Sequence, residues 1–283
     1  MKKAIIKYVI LFIATLQLAA CEKEIKINIP ASKEELVVEA SINQLSPTLN
    51  YVILSKTMDY FNPSLSLLAV RNAKVFITEG NIVGNDTIYN IANQTQFFDL
   101  VDSLFPGIYV NPLFIGKVET PYKLDVELVD GRKITSKTFI PKPVVIDSMH
   151  YWFEPNNKDT NAYFYLQWQD GPEQNNYRVV LKRGFIPFLS GWGYGDRFYS
   201  FDDALINNQP RPFLMLNPFK YGDTVNIYLS QIGRPEYLFW DSFRNAANNG
   251  GPFATPVSVK SNVTGAIGSF TGYALTQEQI ILR

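Results

Sequence analysis

His150 is the only imidazole in a sequence of 283 residues, and Cys21 is the only thiol. That scarcity limits the chemistry at once. A multi-histidine metal site is impossible within one chain, and so are an internal disulfide and a thiolate zinc site. General-base work by His150 would need a nucleophile and an orienting group. No GxSxG elbow accompanies it, and its neighbours Met149, Tyr151 and Trp152 mark a packed or surface histidine at a strand end. Oxygen-rich stretches occur at 170–176 (DGPEQNN) and at Asp202-Asp203. Either could supply calcium ligands, but neither has the DxDxDG spacing of an EF-hand, and turn chemistry accounts for both. The expectation is a non-catalytic chain without metal or cofactor.

Binding chemistry is better represented. Residues 185–201 read FIPFLSGWGYGDRFYSF, a run of aromatic residues broken by Pro187, Gly191, Gly193 and Gly195. Neither strand nor helix periodicity survives that glycine spacing, so Ser190–Asp196 is expected to be a loop. Loops carry binding residues disproportionately, and Trp, Tyr and Arg dominate interface hot spots. Trp192, Tyr194, Arg197, Phe198 and Tyr199 are therefore the candidate partner- or ligand-binding residues. The alternative is that these rings fold back and cap a core.

The first twenty residues read as a targeting segment. Lys2, Lys3 and Lys7 open it, and Tyr8 to Leu16 form a short apolar stretch ahead of small residues. A bilayer span needs about 20 apolar residues, which this stretch does not supply. Leu18-Ala19-Ala20-Cys21 resembles the bacterial lipobox, whose cysteine becomes the acylated first residue of the mature protein. Several acyl chains at one residue give a stable anchor where a single chain is marginal. Cys21 is thus the expected lipidation site, and residues 21–35 the tether. Glu22-Lys23-Glu24 looks like the export signal that sends lipoproteins of the Bacteroidetes to the outer face of the outer membrane; the alternative is a plain solvated tether. Removing residues 1–20 takes away three lysines and leaves 23 basic and 26 acidic residues, a formal charge of −3. Such a balance leaves no electrostatic footprint for nucleic acid.

Hydrophobic residues make up 46% and charged residues 18% of the chain, a globular composition. Beyond Pro30 come short runs rich in Val, Ile, Tyr, Phe and Thr, separated by Gly, Pro, Asn and Asp, the signature of strands and turns. LVVEASI (36–42), YVILSK (51–56) and AKVFIT (73–78) are the first strands expected. YKLDVEL (122–128) and RKITSKTF (132–139) flank Val129-Asp130-Gly131, and Asp-Gly is a strong hairpin signal. Pro141-Lys142-Pro143 interrupts the pattern and marks a domain boundary. VVIDSM (144–149), AYFYLQWQ (162–169), YRVVLK (177–182) and VNIYLS (225–230) follow as strands. The spacing of Tyr237, Trp240, Phe243 and Ala247 predicts a short helix over 236–248. An all-β fold is expected: two β-sandwich domains at 36–140 and 141–283, the second with one short packed helix.

Several stretches carry a family likeness: Leu36 to Ala40, Asn72 to Ile77, Pro106 to Tyr109, Tyr122 to Val126 with Asp130-Gly131-Arg132, Gly251 to Pro256, Ser261 to Val263 and Gly268 to Phe270. In their order and spacing they resemble the DUF4249 family of Bacteroidetes lipoproteins. The first half is also similar to immunoglobulin or transthyretin-type sandwiches. The resemblance carries no catalytic motif. It implies an outer-membrane, surface-displayed accessory to a TonB-dependent receptor in nutrient uptake, with a ligand that the residues do not name. A structural or adhesive surface protein is the alternative. An extracellular hydrolase built on two distant carboxylates is the weaker one. Asp-(Ser/Thr)-apolar triplets that resemble Bacteroidetes O-glycosylation acceptors place candidates at Thr87, Ser103, Ser148 and Thr224; turn chemistry at strand starts is the competing explanation.

Overall fold

Strand β1 (Leu36–Asn43) buries Leu36, Val38, Ala40 and Ile42. That alternation sets the rule for the fold, because successive side chains of a strand point to opposite faces. β2 (Tyr51–Lys56) pairs antiparallel with β1, and a 3-10 turn at Pro47–Leu49 lies between them. β3 (Lys74–Val83) and β4 (Asp86–Asp99) make a long hairpin, with β5 (Ile108–Val110) beside the end of β4. β6 (Thr120–Glu127) and β7 (Lys133–Ile140) flank the expected Asp-Gly turn. Gly131 there has φ +85°, and its N–H donates to the Leu128 carbonyl at 3.0 Å. A β-carbon disfavours that conformation, so glycine fits the position. The computed structural model describes residues 34–58, 68–100, 107–153, 161–184, 197–216, 219–249 and 257–283. Cys21 to Glu24, Trp192, Tyr194 and Ser103 lie outside the described residues.

The second half adds β8 (Ser148–Trp152), β9 (Tyr163–Gln169), β10 (Asn176–Arg183), β11 (Arg197–Asp202), β12 (Pro210–Leu216) and β13 (Thr224–Ile232). Helix α1 (Arg234–Asn248), β14 (Val263–Thr264) and β15 (Ile267–Ile281) complete the chain. Twelve strands join edge to edge in the order β11-β10-β13-β15-β1-β2-β5-β4-β3-β6-β7-β14, and β12-β9-β8 form a separate sheet. Among the described residues the fold is all-β with one packed helix. One core lies between β1, β2 and β15 on one side and β3, β6 and β7 on the other, filled by Val38, Val52, Ile77, Leu124 and Phe270. A second lies between β9 and the strands β10 and β13, filled by Phe164, Leu166, Val179, Leu181 and Ile227.

β15 belongs to both cores. Its first half runs parallel to β1, from Val37↔Ile267 to Asn43↔Tyr273. Its second half pairs antiparallel with β13, from Gln231↔Ala274 to Thr224↔Ile281. Segment 141–147, which opens on the expected boundary at Pro141-Lys142-Pro143, carries the chain from the first core to the second; β14 and β15 then return to the first. The strand expected over 144–149 begins only at Ser148. Val144 and Ile146 still pack on the second core, but prolines 141 and 143 keep this stretch out of a ladder.

Helix α1 starts two residues earlier than its spacing predicts, with Gly233 as N-cap, and it packs on the outer face of β10, β13 and β15. Phe239 and Trp240 are its most buried rings, Tyr237 and Phe243 are half-buried, and Ala247 is exposed. The buried arc runs through Glu236, Phe239, Trp240 and Phe243, a helical spacing that was hidden because a glutamate opens it.

Candidate functional site

β11 is one edge strand of the large sheet and β12 one edge strand of the small one. The two edges face each other across the open side of the second sandwich. Side-chain alternation sends Tyr199 and Phe201 from β11 toward Phe213 of β12: Tyr199 meets Phe213 edge-on at 5.2 Å and 74°, and Phe201 lies 5.0 Å from Phe213 at 34°. Phe201 also lies 5.7 Å from the buried Trp168, which ties the aromatic floor to the core. A groove of about 410 Å³ opens above these rings, and Arg211 and Arg244 complete its wall with Ser200, Ile206 and Pro212. β12 tolerates Pro210 and Pro212 because an edge strand can do without those donors.

The charges of the groove are arranged unequally. The Arg244 guanidinium of α1 meets Asp241 at 2.9 Å, one turn back. Arg211 donates to the carbonyl of Asp202 and lies 5.2 Å over the Phe201 ring. No carboxylate among the described residues pairs with Arg211. It is a half-buried cation whose polar partner is neutral. Burial raises the Tyr199 hydroxyl pKa, and nearby Arg197 and Arg244 oppose the rise.

The expected binding residues separate in the structure. Tyr199 lines the groove. Phe198, one residue away, points to the opposite face, where the Arg178 guanidinium lies 4.9 Å over its ring. Arg197 is exposed at the start of β11. Phe198 is thus part of the packing beneath α1, because neighbouring strand residues cannot share a face. Arg211, Phe213 and Arg244 were not singled out from the sequence. The Pro210-Arg211-Pro212-Phe213 spacing, with prolines on alternate residues, was the available sign of an edge strand.

The oxygen-rich stretches come together, and their three aspartates each have a local partner. Asp170 accepts the Tyr177 hydroxyl and, at 2.9 Å, the Asn208 N–H. Asp203 accepts the Asn175 N–H at 2.6 Å, and Asp202 pairs with Arg234 at 2.8 Å. Burial and the hydrogen bond to Asp170 hold the Tyr177 pKa well above the ordinary phenol value. Among the described residues no group of three His, Cys, Asp or Glu is placed to hold a metal ion. His150 is exposed on β8 and stacks on Tyr165 at 6.0 Å. Of the candidate acceptors, Thr87 is exposed, whereas Ser148 and Thr224 are half-buried at strand starts. Asp223 before Thr224 is used in a turn, accepting the Lys220 N–H at 2.8 Å and pairing with Arg183 at 2.9 Å.

The profile of DUF4249, described as a domain of unknown function, matches residues 22–279. The chain belongs to the DUF4249 family. No curated protein matches the sequence of this DUF4249 chain. A DUF3823 family protein from Bacteroides uniformis aligns over 89% of it and 100% of that protein's chain, at 9% identity and a TM-score of 0.25. The FN1-FN3 domains of chicken CNTN1 align over 89% of it and 69% of theirs, at 10% identity and a TM-score of 0.22. Scores that low carry no argument about the groove, so the site of this DUF4249 member is read from its own residues.

Proposed function

We propose that the protein is a non-catalytic binding lipoprotein, held by Cys21 in the outer membrane and displayed at the cell surface beside a TonB-dependent receptor in nutrient uptake. The observation that carries the reading is the groove between β11 and β12, where three rings and two guanidiniums converge. Such a set binds and orients, and the described residues that line the groove include no thiol, imidazole or carboxylate to act as nucleophile or base. The Leu18 to Glu24 sequence supports the anchor and its display. Capture of the tagged protein from native membranes, followed by mass spectrometry, tests the reading. A TonB-dependent receptor is expected to co-purify, and the Cys21→Ser variant is expected to leave the membrane fraction. Release of unmodified wild-type protein into the soluble fraction would overturn the anchor, and capture without any receptor would overturn the partnership.

One observation favours an adhesive surface protein as the second reading. The β3–β4 hairpin exposes Ile82, Val83, Ile88 and Ile91, the last at 80%. Apolar side chains gathered at a hairpin tip suit contact with another surface. Shortening the hairpin would then abolish cell attachment and leave receptor capture intact.

A further inference from the structure

The groove has chemistry more specific than a general aromatic patch. Its floor is not a slot between parallel rings. Tyr199 stands edge-on to Phe213, and Phe201 is tilted against it. Single ring faces are therefore presented, which suits a ligand that stacks one side and keeps its other side wet. A flat aromatic ligand gains most when it is sandwiched, whereas the C–H face of a pyranose needs one ring only. The edges of the platform carry donors: the Tyr199 hydroxyl and the two guanidiniums.

Arg211 adds a requirement for charge. It is half-buried, it leans on Phe201, and its hydrogen-bond partner is a backbone carbonyl. A guanidinium has five N–H donors in a planar fork that matches a carboxylate or sulfate. Removing such a cation partly from water without an anion is unfavourable, and the groove is the side from which an anion can arrive. Arg244 lies on the same wall, with one carboxylate neighbour at Asp241.

We propose that the groove between β11 and β12 binds an acidic sugar, with its ring on Tyr199 and its carboxylate or sulfate on Arg211. A volume near 410 Å³ lies within the usual size of small-molecule pockets, roughly 300–1,000 Å³, and holds the end of an oligosaccharide rather than a long stretch of one. This inference rests on the reading of the protein as a binding lipoprotein and names the ligand class of that same groove.

The test is isothermal titration of the detergent-purified full chain with four probes: an oligogalacturonate, a heparin-derived tetrasaccharide, neutral maltotriose and inorganic sulfate. At least one acidic oligosaccharide is expected to bind, to weaken as salt rises, and to bind at least about tenfold more tightly than maltotriose or sulfate, the difference of one charge-assisted hydrogen bond. Arg211→Gln and, separately, Tyr199→Ala are each expected to weaken that binding by about tenfold or more. Thermal melting reports whether each variant is folded, and Arg244→Gln, altered at the rim, serves in place of either one that is not. Failure of both acidic probes would overturn the proposal. So would equal binding of maltotriose, equal binding of sulfate alone, or undiminished binding by folded variants. Receptor capture by Arg211→Gln separates the two readings, because loss of sugar binding with capture retained leaves the accessory role standing.

Discussion

A glutamate at the third position of a helix ordinarily faces water and offsets the positive end of the helix dipole. Glu236 is 2% exposed instead. Its carboxylate accepts the Thr138 hydroxyl at 2.7 Å and the Asn262 amide at 3.2 Å. Thr138 in turn accepts the Gly272 N–H at 2.8 Å, so one carboxylate links α1, β7 and β15. Burial raises its pKa above the ordinary 4.5, against those hydrogen bonds, which favour the charged form. The folded protein thus binds this proton more tightly than the unfolded chain does. Its contribution to stability is complete below about pH 4.5 and is lost as pH rises through the raised value. Urea unfolding midpoints between pH 4 and 7 are expected to fall less steeply with pH in Glu236→Gln than in the wild type. Equal slopes would show that the carboxyl keeps its ordinary proton affinity in the fold. Nothing in the sequence marked this residue, since burial of its charge depends on partners 98 and 26 positions away.

At the scale of elements, the strands that could be read were those whose own side chains alternate. β1, β2, the β6–β7 hairpin and β9 carry Val, Ile, Leu, Tyr and Phe on one face, and the Asp-Gly turn is local chemistry. β4 and β15 could not be read that way. β4 is rich in Asn, Gln and Thr and largely exposed, and it is a strand because β3 pairs with it. β15 contains two glycines, which weaken a strand in isolation. Both stand where another backbone comes close: a β-carbon at Gly268 would meet the Val38 carbonyl oxygen at 1.7 Å, and one at Gly272 the Phe139 carbonyl oxygen at 2.6 Å. Gly272→Ala is expected to lower stability by about 1–3 kcal/mol, the usual range for overpacking. A denaturation midpoint unchanged from wild type would mean that β7 can move aside. The groove was legible in the same partial way. Tyr199 stood out within its aromatic run, but Arg211, Phe213 and Arg244 join it only through the meeting of two sheet edges and a helix.

For the whole molecule, residues Glu34–Arg283 behave as one compact unit. The first core includes Phe270 and Ala274, and β1 takes its parallel neighbour from β15. A fragment of residues 36–140 therefore lacks one strand beside β1 and three side chains of its core, Val263, Phe270 and Ala274. It is expected to stay unfolded when expressed alone, with collapsed amide dispersion in a proton–nitrogen spectrum. A well-dispersed spectrum from that fragment would show that the first sandwich is self-sufficient. The full chain is expected to unfold in one transition by fluorescence and by circular dichroism, since β15 connects both cores.

The pairing of β1 with β15 also bears on the export proposed above. Val37 meets Ile267, so nearly the entire chain lies between these partners. Contacts that distant in sequence form late, because a large loop must close first. A polypeptide that leaves the ribosome and crosses a membrane amino end first has its opening strand outside long before the closing one arrives. Neither core can be completed until residues 267–281 have passed through. Were the chain exported as proposed, this topology would leave both cores incomplete until the last strand arrives, so folding would finish only in the compartment that receives it.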